Sequence, residues 1–356
     1  MTQALSRSDR VLFAAAVLLI GGAALTRYAD INSVLAFVLS GLTIAVLASL
    51  VGRGVDQLGD RLGAGATGVL QSALGNLPEL FVCIFALRAG LTKVVEAAVI
   101  GSILGNILLV LGLAFLVGGL RNGVQRFDGE RARVIAAMML LAVVAMLLPS
   151  LAFQLHTPAA SHERALSVIA AIVLLVVFVC SVPASIRRTS EEAEADHAAS
   201  GEGRWPMWLA IGVLAVTGVL AALVSDWFIH ALEPAIESLH ISQAFAGLVI
   251  VAIAGNAVEN VVGIQLAARN QADYALSVIL NSPLQIALVL APALVLLSFV
   301  IGGATFLLVF PPLLVATVVA SVLVVSIIII DGESVWLEGA ALCGFYGVVA
   351  ASFWWG

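Results

Sequence analysis

Charge is what this 356-residue chain has least of: Asp, Glu, Lys and Arg make up 11% of it, against about a quarter in soluble domains. Apolar residues reach 62% and the mean hydropathy is +1.13, which excludes a water-soluble fold. Cysteine is scarce as well. Cys83, Cys180 and Cys343 all fall inside apolar runs, so a disulfide framework is excluded and the three read as small buried hydrophobes. No Gly-rich phosphate-binding motif stands between a strand and a helix. No basic stretch is interleaved with aromatics, which excludes nucleic acid as a partner. His156, His162, His197, His230 and His240 read as loop residues without metal-ligand spacing.

What the chain has instead is long apolar runs, and runs of about 18 residues or more read as membrane spans. Eleven are present, at 11–28, 33–51, 62–88, 94–119, 131–150, 164–182, 207–225, 243–268, 272–298, 303–330 and 335–355. Backbone groups in lipid must bond internally and these runs do not alternate, so the spans are helices rather than barrel strands. The expected fold class is an all-α polytopic membrane protein. The first run follows Arg7 and Arg10 and reaches Arg27 without a small-residue cleavage site, so it reads as a helix rather than a signal peptide.

With the N-terminus cytoplasmic, the inside loops hold Arg7, Arg10, Arg53, Arg61, Arg121, Arg126, Arg131, Arg133, Arg187, Arg188, Arg204 and Arg269. Only Arg27, Arg88, Lys93 and Arg164 are left outside. This asymmetry obeys the positive-inside rule and predicts a multi-pass protein of the plasma (inner) membrane. The polar stretch 184–206, with Glu191, Glu192, Glu194 and Asp196, reads as an acidic cytoplasmic loop after the sixth span. It separates an N-terminal helix at 1–30 and a five-helix segment at 31–183 from a second five-helix segment at 207–356.

The two segments resemble one another. Gly75-Asn76-Leu77-Pro78-Glu79 matches Gly255-Asn256-Ala257-Val258-Glu259, and each glutamate is followed 23 residues later by a serine, Ser102 or Ser282. The glutamates fall on the third and eighth spans, and an odd offset makes the two copies cross the membrane in opposite directions, as inverted-topology repeats do. Gly63, Gly65 and Gly68 in the third span read as helix-packing contacts. Asp226, Glu233 and Glu237 read as a solvated loop before the eighth span.

Glu79 and Glu259 lie deep in apolar runs. A charge at the bilayer centre costs at least about 2.5 to 3.5 kcal/mol, so such residues mark a functional pathway. Asn76 and Asn256 precede them by three positions, which sets amide and carboxylate on one helix face. Gly75, Gly255 and Pro78 favour a kink that frees backbone carbonyls. Two carboxylates, two amides, the hydroxyls of Ser102 and Ser282 and a few carbonyls form an all-oxygen set suited to a hard cation such as calcium. Once the cation leaves, two adjacent buried carboxylates cannot both stay ionised, and they take up protons. One site that holds either a divalent cation or protons, exposed to each side in turn, is an antiporter.

Gly75-Asn76-Leu77-Pro78-Glu79-Leu80 followed by Gly101-Ser102-Ile103-Leu104-Gly105-Asn106-Ile107-Leu108-Leu109-Val110-Leu111-Gly112 resembles the first signature of the cation/proton exchanger (CAX) family of the calcium/cation antiporter superfamily. Gly255-Asn256-Ala257-Val258-Glu259 with Asn281-Ser282-Pro283-Leu284-Gln285-Ile286-Ala287-Leu288 resembles the second. The resemblance implies Ca2+/H+ exchange, with Glu79 and Glu259 alternately binding calcium and protons and with Asn76, Asn256, Ser102, Asn106, Ser282 and Gln285 lining the site. It implies no cofactor. The partners it implies are inorganic cations, protons and the lipid bilayer, and a homo-oligomer stays open.

The chain departs from the family at Asn260, where His is frequent, and at Asn281-Ser282-Pro283, where Gly-Ser-Ser is usual. Leu77-Pro78-Glu79 is also similar to the sodium/calcium exchanger branch, although Ile286 stands where that branch has a polar residue. A sodium- or potassium-coupled exchanger therefore stays as the alternative on the same scaffold. An intramembrane enzyme using the carboxylates as acid and base is the remoter one. No nucleophile or metal triad supports it, and the expectation is a transporter, not an enzyme.

Overall fold

The computed structural model describes residues 6–29, 31–62, 74–196 and 205–355, with backbone alone at 59–62, 182–196, 258 and 259. The apolar runs are helices: α1 (Arg7–Tyr28), α2 (Ser33–Leu62), α3 (Leu77–Arg88), α4 (Thr92–Asn122), α5 (Gly129–Gln154), α6 (Glu163–Asp196), α7 (Met207–Leu239), α8 (Gln243–Gly255), α9 (Ala257–Ala268), α10 (Ala272–Ser298), α11 (Pro312–Ile328) and α12 (Trp336–Trp354). Among the described residues nine helices are long and apolar enough to cross a bilayer, ten if the bent pair α8–α9 counts as one span. Of the remaining expected span, 62–88, residues 63–73 lie outside the described residues, Gly63, Gly65 and Gly68 with them, and its end, α3, is described. Val11, Val17, Leu18 and Leu25 stand exposed on α1, a surface only acyl chains tolerate. The chain is a multi-pass helical membrane protein. Two residues at each of two loop ends pair as a short antiparallel ladder, β1 (Gln125–Arg126) with β2 (Glu333–Ser334).

Several loops expected from polarity are helical. Residues 184–196 continue α6 through the acidic cluster to Asp196, because Glu and Ala in a run are strong helix formers whether or not they are apolar. Asp226, His230, Glu233 and Glu237 are not in a loop but on α7. They mark its exposed side while Trp227, Phe228, Ala231, Leu232 and Ala235 are buried, an amphipathic pattern that a window of mean hydropathy misses. Cys180, expected buried, is exposed. The run 303–330 starts its helix only at Pro312. Gly302 and Gly303 adopt φ of 73° and 92°, which ends regular structure there. The irregular stretch beyond them is satisfied from α5 and α6. Ser150 Oγ donates to the Leu308 carbonyl and accepts from Phe310 N, both at 2.8 Å, Gln154 Nε2 donates to the Phe310 carbonyl at 2.8 Å, and Ser167 Oγ accepts from Leu308 N at 3.1 Å.

The chain forms two compact units, and each draws on both sequence halves: residues 1–85 with 176–240, and residues 86–175 with 241–356. In the first, α2 packs along α7, Phe37 stacking on Phe228 at 4.8 Å. Gly54 permits the approach, since a Cβ there would stand 2.8 Å from Leu214. α1 is fastened by a buried carboxylate. Asp9, 3% exposed, receives Arg53 Nη1 at 3.0 Å, Trp205 Nε1 at 3.1 Å and Ser6 N at 3.0 Å. Trp205 N in turn donates to Gln57 Oε1 at 2.7 Å. Asp9→Asn removes the charge behind these bonds, at a cost of about 1 to 3 kcal/mol. A thermal-shift assay in detergent is expected to show a midpoint lower by a few degrees, and an unchanged midpoint would strike the knot from the stabilising contacts.

In the second unit α4 is central. Its first half crosses α8 at Gly101 and Gly247, and its second half packs on α12, where Gly112 and Gly339 face each other, and on α9. α9 and α10 form an antiparallel hairpin through a tight turn in which Asn270 takes φ 61°. The turn before α4 uses Gly90, φ 81°, at the matching position.

Candidate cation site

Gly and Asn are poor in helix interiors, and both Gly-Asn pairs interrupt a helix. Gly75 and Asn76 form a turn before α3, and α8 ends at Gly255, a 64° bend separating it from the rest of its span. Each glutamate is the third residue of the helix that restarts, and the first turn of a helix is where its dipole favours negative charge. Glu79 is 0% exposed and Asn76 7% exposed, both in the first unit. The Leu80 amide bonds the Asn76 carbonyl at 2.9 Å. Asn76 Nδ2 is buried and has no hydrogen-bond partner among the described residues. The Glu259 side chain lies outside the described residues, and only its backbone, in the first turn of α9, is described.

Four other predicted residues meet in the second unit. Asn256 Nδ2 donates to Ser102 Oγ and to the Ala252 carbonyl, each at 3.0 Å. Asn256 Oδ1 accepts from Ser282 Oγ at 3.1 Å and from Asn106 Nδ2 at 3.4 Å. Asn106 Nδ2 also donates to Ser282 Oγ at 3.3 Å and to the Ser102 carbonyl at 2.8 Å. Exposure is 1% for Ser102 and Asn106, 2% for Asn256 and 4% for Ser282. Residues from both sequence halves thus close one buried knot between α4, α10 and the α8–α9 break. Gln285 stands apart from it at the C-terminal end of the regular part of α10, with no hydrogen bond to the knot among the described residues.

The knot leaves oxygen unspent. Among the described residues Asn106 Oδ1 and Asn260 Oδ1 are buried in this unit without a hydrogen-bond partner, and leaving such an atom unsatisfied costs about 1 to 3 kcal/mol. Asn260 entered the sequence reading only as a departure from a motif. The available signal was its spacing, four residues after Asn256 and hence on the same helix face. Helix geometry loosens at the same places. α4 carries a π-helical turn at Gly105–Val110, which includes Asn106, α10 one at Ile286–Leu290, and α8 one at Ala246–Val251, and such turns concentrate at functional sites. Among the described residues no three His, Cys, Asp or Glu side chains cluster as a metal site.

A polytopic helical membrane protein with spans broken at buried polar residues is, by class, a secondary transporter. The sequence profile of the sodium/calcium exchanger protein family matches residues 32–187 and 209–355, and the chain belongs to that family. It is 37% identical to a Ca(2+)/H(+) antiporter of Synechocystis sp., covering 89% of this chain and 90% of the relative. It is 34% identical to the Ca(2+)/H(+) antiporter ChaA of Bacillus subtilis, covering 90% and 92%. The solved structure of native YfkE superposes with TM-score 0.81 at 31% identity, over 96% of this chain and 99% of that one. The H+/Ca2+ exchanger CAX, at 16% identity and TM-score 0.74 over 98% of this chain and 92% of that one, shares the fold. The resemblance to cation/proton exchangers seen in the two motifs holds along the chain.

Proposed function

We propose that the chain exchanges Ca2+ for H+ across the plasma membrane by alternating access at one site shared by Glu79 and Glu259. The observation that carries this reading is the buried knot that takes one asparagine and one serine from each half of the chain, Asn106 and Ser102, Asn256 and Ser282. The names of the relatives, Ca(2+)/H(+) antiporters at 34 to 37% identity, support the choice of ions. The matched helix breaks, turns and π segments support two repeats, 31–183 and 207–356, that cross the membrane in opposite directions, and the loop arginines support a cytoplasmic N-terminus.

In this mechanism Glu79 and Glu259 supply charge while Asn106, Asn256, Ser102, Ser282, Asn76 and Gln285 supply neutral oxygen, with carbonyls at Gly75 and Gly255 released by the breaks. One Ca2+ or two protons neutralise the two carboxylates. A site with both carboxylates charged and empty is too costly to carry across the low-dielectric interior. Exchange is then obligatory. Protons and calcium compete, so lowering the pH should weaken apparent calcium affinity, by up to about a hundredfold per unit where both carboxylates protonate. Calorimetric titration of the purified protein at pH 8 and pH 6 checks this. An affinity that does not change with pH removes the competition.

The deciding experiment imposes a pH gradient on proteoliposomes and follows calcium, sodium and potassium in turn. Calcium uptake coupled to proton release is expected. Sodium moving while calcium does not would replace this reading with a sodium-coupled exchanger.

A further inference from the structure

The loop between α4 and α5, with the helix ends that flank it, grips the hairpin of α9 and α10 at its turn. On the α9 side Gln125 Nε2 donates to the Ala267 carbonyl at 2.8 Å, and Asn122 Nδ2 donates to the Ala267 and Ala268 carbonyls at 3.3 and 3.4 Å. On the α10 side Asp128 N donates to Asp273 Oδ1 at 2.6 Å and Arg131 Nη2 to Ser277 Oγ at 3.1 Å. Gln125 is the innermost of these, 1% exposed. A Cβ on Gly118 of α4 would run into its Oε1, so the side chain fills the space between α4 and the last turn of α9. The other end of the hairpin is the knot, where Asn256 bonds Ser102 of α4 and Ser282 of α10, and Glu259 follows in the first turn of α9. Twelve helical residues without a break join the two ends, a rod of about 18 Å. Held at both ends, such a rod keeps its direction. Released at one, it can swing about the 64° bend that separates it from α8.

The grip is weak for its position. Gln125 stands opposite Ser334 in the β1–β2 ladder, so the two side chains share one face. Among the described residues Gln125 Oε1 and Ser334 Oγ are both buried without a hydrogen-bond partner. Each such atom costs about 1 to 3 kcal/mol while dry, and water removes that cost once the ladder opens. The ladder has two residues a side, and its ion pair, Arg126 with Glu333, has side chains 81% and 48% exposed, where such pairs contribute about 0 to 1 kcal/mol. Resting on the exchange site proposed above, we infer that Gln125 is a positioning residue of the exchange cycle: its bond to α9 holds Asn256 and the Glu259 backbone in one orientation, and breaking that bond frees α9 to turn toward the other. Gln125 touches neither ion. It acts through α9 on the conformational step, and such steps set the turnover of many proteins that work by closure and opening.

Two measurements test this. Gln125→Leu fills the space without bonding Ala267, and Gly118→Ala pushes the Gln125 oxygen from its seat while leaving Gln125 in place. Each is expected to lower the maximal rate of calcium flux in proteoliposomes about tenfold, the scale of one buried hydrogen bond. Hydrogen–deuterium exchange of the parent protein at one pH, with and without saturating calcium, is expected to differ about threefold or more at the amides of 124–127 and 333–335, because binding shifts the balance between gripped and released states. A contact that only staples the fold would exchange alike in both. The inference is overturned if the variants move calcium at the parent rate, or if exchange at the ladder ignores calcium. Should Gln125→Leu fail to fold, Gly118→Ala decides, since alanine is favoured over glycine within a helix. A parent protein that moves no calcium under a pH gradient defeats the exchanger reading itself. Normal calcium transport with indifferent variants defeats only the role of Gln125.

Discussion

Glu79→Gln is expected to abolish calcium-driven proton movement while the protein still elutes as a folded species. Glutamine keeps the shape of the side chain and a neutral amide is easier to bury than a carboxylate, so at a position 0% exposed the exchange of groups costs the fold little or nothing. What it removes is charge. A calcium ion then faces a single carboxylate, and losing one partner of a buried charge pair weakens binding by about 2 to 5 kcal/mol, or thirtyfold to several thousandfold. The variant also loses a group that can carry a proton back, so lowered affinity is joined by a broken coupling. Glu259→Gln should behave alike, because the two glutamates occupy the same place in their restarted helices. Flux in proteoliposomes, read beside size-exclusion profiles, separates loss of transport from loss of fold. A Glu79→Gln protein that exchanges calcium for protons at the normal rate would sink the proposed function.

The second large effect is expected at the crossing of α4 and α8. A Cβ on Gly101 would stand 2.3 Å from the Leu248 carbonyl oxygen, and a Cβ on Gly247 2.3 Å from the Val94 carbonyl oxygen. Both clashes are with backbone, which cannot rotate aside, so even alanine forces the helices apart. Overpacking of this kind costs about 1 to 3 kcal/mol or more. Gly101 also precedes Ser102, whose hydroxyl accepts from Asn256, so the displacement reaches the knot directly. Gly101→Ala and Gly247→Ala are expected to lower the thermal midpoint by several degrees and to cut transport by about tenfold or more, since ångström-scale misplacement is enough for such a loss. Gly344→Ala on α12 is the control. Nothing lies within 4 Å of a Cβ there, and alanine in a helix interior is favourable by about 0.5 to 1 kcal/mol. Equal melting of all three variants would contradict the close-crossing account.

The span pattern was readable because its cause is local. A stretch of about twenty apolar residues has one way to satisfy its backbone in lipid, and α1, α4, α5, α10 and α12 sit where the apolar runs put them. Charge alone misled the reading at Asp226, Glu233 and Glu237. These three ride on the exposed side of α7, because a helix can expose one stripe and bury another. The acidic run ending at Asp196 is likewise helical, since polarity says where a segment meets water and not what conformation it takes. Among the candidate site residues, Asn76, Asn256, Ser102 and Ser282 stood out by the repeated spacing, and Asn106 by its motif. Asn260 stood in the sequence as a departure from a motif, and its buried, unpartnered Oδ1 shows only in the structure.

The sequence by itself determined that the chain crosses the bilayer many times as helices, that two glutamates stand deep within apolar runs, and that the second half echoes the first. Hydropathy, helix-breaking residues and repeat spacing act within one segment, so they can be read without knowing what lies beside it. The tertiary structure decided which residues touch. It drew Ser102 and Asn106 together with Asn256 and Ser282, spent the Asn256 oxygen inside the knot, and left those of Asn106 and Asn260 unpartnered among the described residues. It also required glycine at 101 and 247, where two backbones approach. Such contacts join residues about 150 positions apart, and which of them forms depends on the packing of whole helices rather than on any preference within the pairs themselves.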